Sequence, residues 1–516
     1  MSKLKAKISQ VAKNKDARTV AGNFMWLSIL KVIGYIFPLI TLPYLSRVIG
    51  VDGFGEIAFA LSVIVLIETF TDFGFNYTAT RDVARNRDDI SSVSNIFSNV
   101  FWAKLVLMML GFIVLCVLIL FVPQFYDNRL ILFLTFLYIP GHILFPEWLF
   151  QAFERMKYIT ILNLVSKAVF TILVFIVIKE KSDYILQPLL TAIGYVISGC
   201  IAMYYVIKTI GINISKPCLK EIISTIKGSF NMFITLIFPN LYTQLPISFL
   251  RVTHGEQSVG FYTSGERFYA IINQLFTVLS RVFYPFLSRR LDQHRVYELI
   301  SGIGSLLSVC LLYFGSTLFV QLFYTPEFSE ATVVIKILSI SPIAYFFLNT
   351  YGTNYLVIIG KERVYKNVTI IFSVLGLLMA VLLINKYSYI GFTIALVLTR
   401  FFNGITVFIL ARIYKHKNKT MYKYRVSIFT ATYNRGHLLK HRYEELIALD
   451  FKNFEWVMCR MAQQIIRLKR FILLSKTRKS LLSLFIKKMV VNILLGKLQH
   501  HCLKVGMSWV RMMMIQ

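Results

Sequence analysis

SNVFWAKLVLMMLGFIVLCVLILF, residues 98–121, carries a single charged side chain, Lys104. About 20 apolar residues in a helix are enough to cross the hydrocarbon of a bilayer. Outward from this stretch, the same pattern repeats from Gly22 to about Arg412. Length, apolarity and charged punctuation give about twelve spans, near 24–42, 55–75, 98–121, 130–150, 158–178, 184–207, 229–250, 262–287, 298–323, 331–358, 367–385 and 388–411. Lys and Arg collect in every second connection: Arg81, Arg85 and Arg87, then Arg155 and Lys157, then the Lys-rich stretch 208–228, then Arg289, Arg290 and Arg295, then Lys361, Arg363 and Lys366. VTHGEQSVG (252–260) and TPEFSEA (325–331) have neither residue. Cytoplasmic loops retain cations and exported loops lose them, so both ends of the membrane unit are expected in the cytoplasm.

Composition agrees. The chain has 516 residues, is 56% hydrophobic, and has a mean hydropathy of +0.64. A soluble domain cannot bury that much apolar surface. The net charge of +31 sits largely in short loops and the C-terminal tail, where anionic lipid is a simpler partner than nucleic acid. The six cysteines form no CxxC pair and the eight histidines show no ligand spacing, so neither a metal nor another cofactor is expected. The first apolar stretch is long and lacks a small-residue cleavage site, so no cleaved signal peptide is expected.

The expected fold is an all-α membrane protein with about twelve transmembrane helices. The basic connector 208–228 divides them into two six-helix bundles, 21–207 and 229–412, after a cytoplasmic basic arm at 1–20. Many transporters place the substrate path between two such bundles. Prolines 38, 43, 140, 146, 239, 246, 285 and 342 each remove a backbone donor and can kink their spans.

The informative residues are ionisable groups inside apolar stretches: Lys31, Glu68, Asp72, Lys104, Lys167, Glu266, Arg267, Arg281, Lys336 and Arg400. A charge at the bilayer centre costs about 2.5–3.5 kcal/mol on insertion scales, so it faces a cavity or a partner. Cations outnumber acids, which suits an anionic substrate such as a phosphate. Lys31, Arg267, Arg281, Lys336 and Arg400 are the candidates for binding it, and Glu68 and Asp72 for coupling or gating. Span-end groups such as Asp72, Lys104 and Arg281 could instead snorkel, and Glu266 and Arg267 could satisfy one another. No nucleophile–base or metal constellation stands out, so an enzyme is not expected from the membrane unit.

PYLSRVIGVDGFGEIAF (43–59), TDFGFNYTATRDVARNRDD (71–89), FPEWLFQAFERMKYITILNL (145–164) and YTSGERFYAIINQL (262–275) resemble the repeat-unit flippases of bacterial O-antigen and capsule pathways. These belong to the multidrug/oligosaccharidyl-lipid/polysaccharide exporter superfamily. The resemblance covers about residues 15–415. It implies translocation of undecaprenyl-diphosphate-linked oligosaccharide across the bacterial cytoplasmic membrane through a cationic central cavity. It also implies membrane lipid, a polysaccharide polymerase and glycosyltransferases as partners. Arg47, Asp72, Asn76 and Arg81 match family motif positions, which extends the coupling or gating set to Arg47 and Arg81. An ion-coupled multidrug exporter of the same superfamily is the alternative.

After Lys419 the character changes. MYKYRVSIFTATYNRGHLLKHRYEELIALDFKNFEWVM (421–458) resembles the start of a family-two glycosyltransferase, with a strand at Val426–Ala431, a helix at His437–Leu449 and a second strand opening. A membrane-tethered glycosyltransferase is therefore a third reading, but the acidic metal-binding motifs it requires do not follow. After Met458 there are twelve Lys and Arg and no acid. Shifting the codon frame lets Arg460–Ile465 read Asp-Gly-Ser-Thr-Asp and makes Met512–Ile515 read three consecutive Asp. Residues 413–458 are thus expected to be a linker and truncated α/β fragment, and 459–516 a disordered, out-of-frame tail.

Overall fold

The structure is a computed structural model that describes residues 15–289, 291–421, 426–432, 444–446 and 454–460; its described side chains lie mainly between Gly34 and Lys415. The chain forms two compact units, Met1–Ala411 and Arg412–Gln516.

The membrane unit is helical throughout. Helix α1 covers Lys15–Asp72, α2 Phe75–Arg85 and α3 Ile90–Phe121. Short pieces follow, α4 (Pro123–Asp127), α5 (Arg129–Phe136), α6 (Tyr138–Leu144) and α7 (Glu147–Ala152), then α8 (Met156–Val177) and α9 (Leu186–Tyr205). The second half consists of α10 (Leu219–Arg289), α11 (His294–Phe323), α12 (Ala331–Leu338), α13 (Ser341–Phe347) and α14 (Glu362–Met421).

Among the described residues, nine helical stretches are long and apolar enough to cross a membrane. Three of them, Leu39–Arg85, Leu219–Arg281 and Glu362–Lys415, hold 47, 63 and 54 residues. A straight helix of 60 residues would be about 90 Å long, against roughly 30 Å of hydrocarbon. Helices α1, α10 and α14 are each interrupted inside, at Gly50 (φ 64°), Gly255 (φ 80°) and Ser388 (φ 52°), and each so supplies two crossings; the first stretch also turns at Phe73 and Gly74, between α1 and α2. The result is an all-α membrane protein of about twelve spans in two bundles. The expected loop at 252–260 is absent: apart from Gly255 this stretch is helix.

Local chemistry explains the shorter elements. Asp89 caps α3, its carboxylate accepting from the N–H of Ser91 (3.0 Å) and Ser92 (3.3 Å) and from the Ser92 hydroxyl (2.5 Å). The span expected at 130–150 is broken into α5, α6 and α7. Pro146 pushes Phe145 out of the helical region (ψ 84°), and Pro140 withholds a donor from the turn before it. Leu120, Phe314 and Leu382 are more than 70% exposed, the pattern of a helix surface solvated by lipid.

The second half of α1 packs antiparallel on the first half of α10. Glu56 meets Arg251, Ser62 meets Ser248 (2.8 Å), Thr69 meets Asn240 (2.8 Å), and the Phe73 ring stacks on Phe233 at 4.3 Å. Thr78, on α2, then meets Ser229 at 2.7 Å. This seam joins residues on either side of the basic connector.

In the second unit, β1 (Val426–Thr432) and β2 (Phe454–Arg460) pair in parallel, with Val426 opposite Phe454. The first strand matches the sequence expectation to within a residue. Of the helix expected at 437–449 only 444–446 are described, and 461–516 lie outside the described residues.

Candidate functional site: a cationic cavity between the bundles

A cavity of about 390 Å³ lies between α1, α8 and α9 on one side and α10 on the other. Its walls are largely apolar, with Leu42, Ile49, Phe170 and Ile271 among them. Two cations enter this surface from opposite bundles, Lys167 on α8 and Arg267 on α10. Lys167 Nζ donates to the Gly34 carbonyl at 3.0 Å, and the Arg267 guanidinium lies over the Phe54 ring at 4.7 Å. Thr41, Gln187, Thr191 and Tyr195 supply neutral polar groups to the same wall. A half-dry pocket with two cations and a few hydroxyl and amide groups can hold a compact anion.

A second cluster lies inside the first bundle. Glu68 and Asp72, one turn apart on α1, meet His142 of α6 and Lys104 of α3. Lys104 Nζ donates to Asp72 Oδ1 at 2.6 Å, and Asn76 donates to Oδ2 at 3.0 Å. Glu68 Oε1 accepts from Tyr138 at 3.0 Å and lies 3.5 Å from His142 Nδ1, which is also 3.9 Å from Asp72 Oδ1. The two carboxylates and the imidazole could hold a small cation by ligand type, with all ligand atoms within 4.8 Å of one another. Lys104 is already paired with Asp72, which leaves Glu68 and His142 facing one another beside that pair. On another face of the same α1 segment, Thr69 and Phe73 contact α10 across the seam. Charge in this cluster therefore acts on a helix of the first bundle that packs directly on the second.

A third group closes the end of the seam that bears Gly50 and Gly255. The Arg251 guanidinium donates to Glu56 Oε1 at 2.5 Å and approaches Glu256 at 3.5 Å. Lys181 binds Asp52 at 2.7 Å. The backbones touch: a Cβ at Gly55 would lie 1.9 Å from the Glu256 carbonyl oxygen, and one at Gly260 would lie 2.4 Å from that of Val51. Glycine is required at both for this approach. Phe54, Tyr324 and Phe328 pack beneath as a ring cluster.

The sequence-derived candidates separate. Arg267 reaches the cavity, and Glu68 and Asp72 form one cluster. Arg400 lies elsewhere in the second bundle, its guanidinium over the Tyr269 ring at 4.7 Å. Arg281, Lys336, Arg47 and Arg81 are exposed, and Arg81 pairs with its neighbour Asp82 at 2.8 Å. Lys31 sits in α1, with its side chain outside the described residues. Glu266 and Arg267 do not meet as a salt bridge: Arg267 turns to the cavity, while Glu266 is an electrostatic neighbour of both Arg400 and Arg267. Sequence reasoning passed over His142, Tyr138, Glu56 and Arg251. The one available signal was that His142 is a polar residue within an apolar run.

The family model described as polysaccharide biosynthesis protein matches residues 20–291, more than half of the chain. The chain belongs to this family. Two relatives, from Escherichia coli (strain K12) and Shigella dysenteriae, each named "Putative O-antigen transporter", are 27% identical over 395 residues and 25% identical over 384. The first alignment covers 75% of this chain and 95% of the relative, the second 73% and 96%. Among solved structures, the lipid II flippase MurJ in an inward closed conformation has a TM-score of 0.60 at 13% identity, covering 86% of this chain and 95% of that one. An inward-facing multidrug resistance MATE transporter of the MOP superfamily has a TM-score of 0.57 at 13% identity, covering 74% and 95%. At that identity these two speak to the fold alone: this member of the polysaccharide biosynthesis family is a multi-pass membrane protein that shares their fold.

Proposed function

We propose that the chain flips lipid-linked oligosaccharide across the bacterial cytoplasmic membrane, its diphosphate held between Lys167 and Arg267. The observation that carries this reading is the cavity walled by one cation from each bundle. A diphosphate–sugar headgroup cannot cross hydrocarbon unaided, so it needs a polar chamber while the polyprenyl tail stays in lipid. An anion bridging the bundles biases their relative position, which is what alternating access requires. The O-antigen transporter names of the relatives favour a saccharide cargo.

In this reading, 21–207 and 229–412 are the moving bundles, and the Gly50–Gly255 end faces away from the cytoplasm. The Glu56–Arg251 pair latches that end shut. Glu68, Asp72 and His142 form the coupling site. The truncated fragment beyond 413 takes no part in transport.

The test is complementation of a flippase-null, polymer-deficient strain by residues 1–421 and by the full chain. Restored surface polymer from both supports the reading. Restoration only by the full chain would make the tail a working part. Failure of both in a strain that makes the matching repeat unit, with normal membrane insertion, would overturn flippase activity. Lys167→Ala and Arg267→Ala are each expected to reduce surface polymer at least tenfold.

A further inference from the structure

The second bundle contains a polar interior that the diphosphate cavity does not use. Arg400 on α14 stacks over Tyr269 of α10 at 4.7 Å, and Tyr242, Tyr262 and Glu266 are its electrostatic neighbours. Tyr345 of α13 extends the group, its hydroxyl 2.9 Å from that of Thr277. These residues come from four crossings of the second bundle.

Two features distinguish this cluster from a packed core. Three polar atoms on its faces of α10 and α14 are buried without a hydrogen-bond partner: Arg400 Nη1, Asn403 Oδ1 and Asn273 Oδ1. Asn403, one turn along α14 from Arg400, is 8% exposed. A buried donor or acceptor left unmade is expensive, and natural structures rarely carry several together. Arg400, Glu266, Asn273, Tyr242 and Tyr345 nevertheless retain partial accessibility well inside their helices, so a small ligand can reach them. The positions also align. Glu266, Tyr269, Asn273 and Thr277 recur at helical spacing on one face of α10. Arg267 projects instead toward the cavity.

Aromatic faces, amide groups and one fixed guanidinium form a surface suited to a neutral, hydroxyl-rich ligand. Sugar rings present apolar faces to tyrosine and vicinal hydroxyls to amide and guanidinium groups. A second phosphate site would not be built with Glu266 beside its only cation. We infer that Tyr269, Asn273, Arg400 and Asn403 form the saccharide-recognition subsite, while Lys167 and Arg267 hold the diphosphate. This rests on the flippase reading and assigns the two halves of the substrate to different walls.

The experiment compares two probes on the purified full chain in nanodiscs: farnesyl diphosphate, which has no sugar, and the lipid-linked repeat unit extracted from the source strain. Asn403→Ala, Asn273→Ala and Arg400→Gln are expected to weaken binding of the glycosylated lipid at least tenfold and to leave farnesyl diphosphate within twofold. Arg267→Ala is expected to weaken both. Equal losses on both probes, or none on either, would overturn the subsite. If Arg400→Gln fails to insert or fold, the two asparagine variants decide alone. Wild-type protein that binds neither probe would refute the flippase reading itself and this assignment with it. Wild-type protein that binds both probes equally would refute only the assignment.

Discussion

Lys104 Nζ on α3 lies 2.6 Å from Asp72 Oδ1 on α1, with the two side chains only 4% and 18% exposed. Neither charge can leave alone without stranding the other. Removing one partner of a buried pair costs about 3–5 kcal/mol, whereas replacing both can be nearly neutral. Lys104→Met is therefore expected to lower thermal stability in detergent sharply. Adding Asp72→Asn should recover most of the loss. A double variant as unstable as the single one would show that Lys104 matters through packing rather than charge.

If the chain is a flippase, the cluster around His142 is where an ion gradient should act. His142 faces Glu68 and Asp72 of α1, with Lys104 of α3 on Asp72, and its ring stacks on Tyr138 and meets Tyr195 edge-on. His142→Gln is expected to flatten the dependence of proteoliposome flipping on an imposed pH gradient while leaving gradient-free equilibration within a few-fold of wild type. A sodium gradient that drives wild-type flipping with no pH response would point to a metal cation at this cluster.

Closure of the Gly50–Gly255 end depends on a contact between backbones. Gly55→Ala adds a methyl group where only 1.9 Å separates it from the Glu256 carbonyl oxygen, and a carbonyl cannot swing aside as a side chain would. The expected outcome is a protein held open at that end. A cysteine at Ser62, which is 1% exposed beneath the seam, should then label rapidly with an impermeant maleimide in an otherwise cysteine-free chain. Unchanged labelling would mean the bundles accommodate the methyl group without parting.

The Glu56–Arg251 pair gives a reciprocal test. Glu56→Arg alone places two cations together and should open the same end. Glu56→Arg with Arg251→Glu should close it again, with Ser62→Cys labelling returned to near the starting rate. If the exchange restores nothing, the pair follows closure rather than holding it.

Outside the membrane, Asp89 contributes a pH-dependent term. The Ser92 hydroxyl, the Ser92 N–H and the Ser91 N–H hold its carboxyl below the usual carboxylate range. The cap is fully present above the unfolded value of about 3.9 and is lost as pH falls through the lower folded value. Asp89→Ala should lower the melting temperature at pH 7, and the deficit should shrink below about pH 3.5. A deficit constant with pH would assign the loss to the helix start rather than to the charge.

Much of the architecture was legible because bilayer crossing imposes a length and the loops carry a sign. The two halves and the approximate spans followed from those facts alone. The bends did not: VTHGEQSVG looks like a polar loop, yet a single glycine in a left-handed conformation makes the turn and the flanking residues stay helical. The site was read in part. Arg267, Glu68 and Asp72 stood out as charges in apolar runs, but so did Lys336 and Arg281, which are exposed. Sequence shows that a charge is present, and only packing shows whether it points inward. Glu56 and Arg251 are 195 positions apart, and each sits where a span-end charge is unremarkable. His142 was hidden for a different reason, since its partners lie on another helix and local spacing carries no trace of them.

The near absence of loops at Gly50, Gly255 and Ser388 has a practical consequence. A protease needs several residues of extended chain, and an antibody needs a protruding patch. Three turns made by one residue each offer neither. Tags inserted there would split a continuous helix, so reporters of sidedness belong at Lys179–Asp183 or Thr325–Glu330, where the chain already leaves the α-helical path.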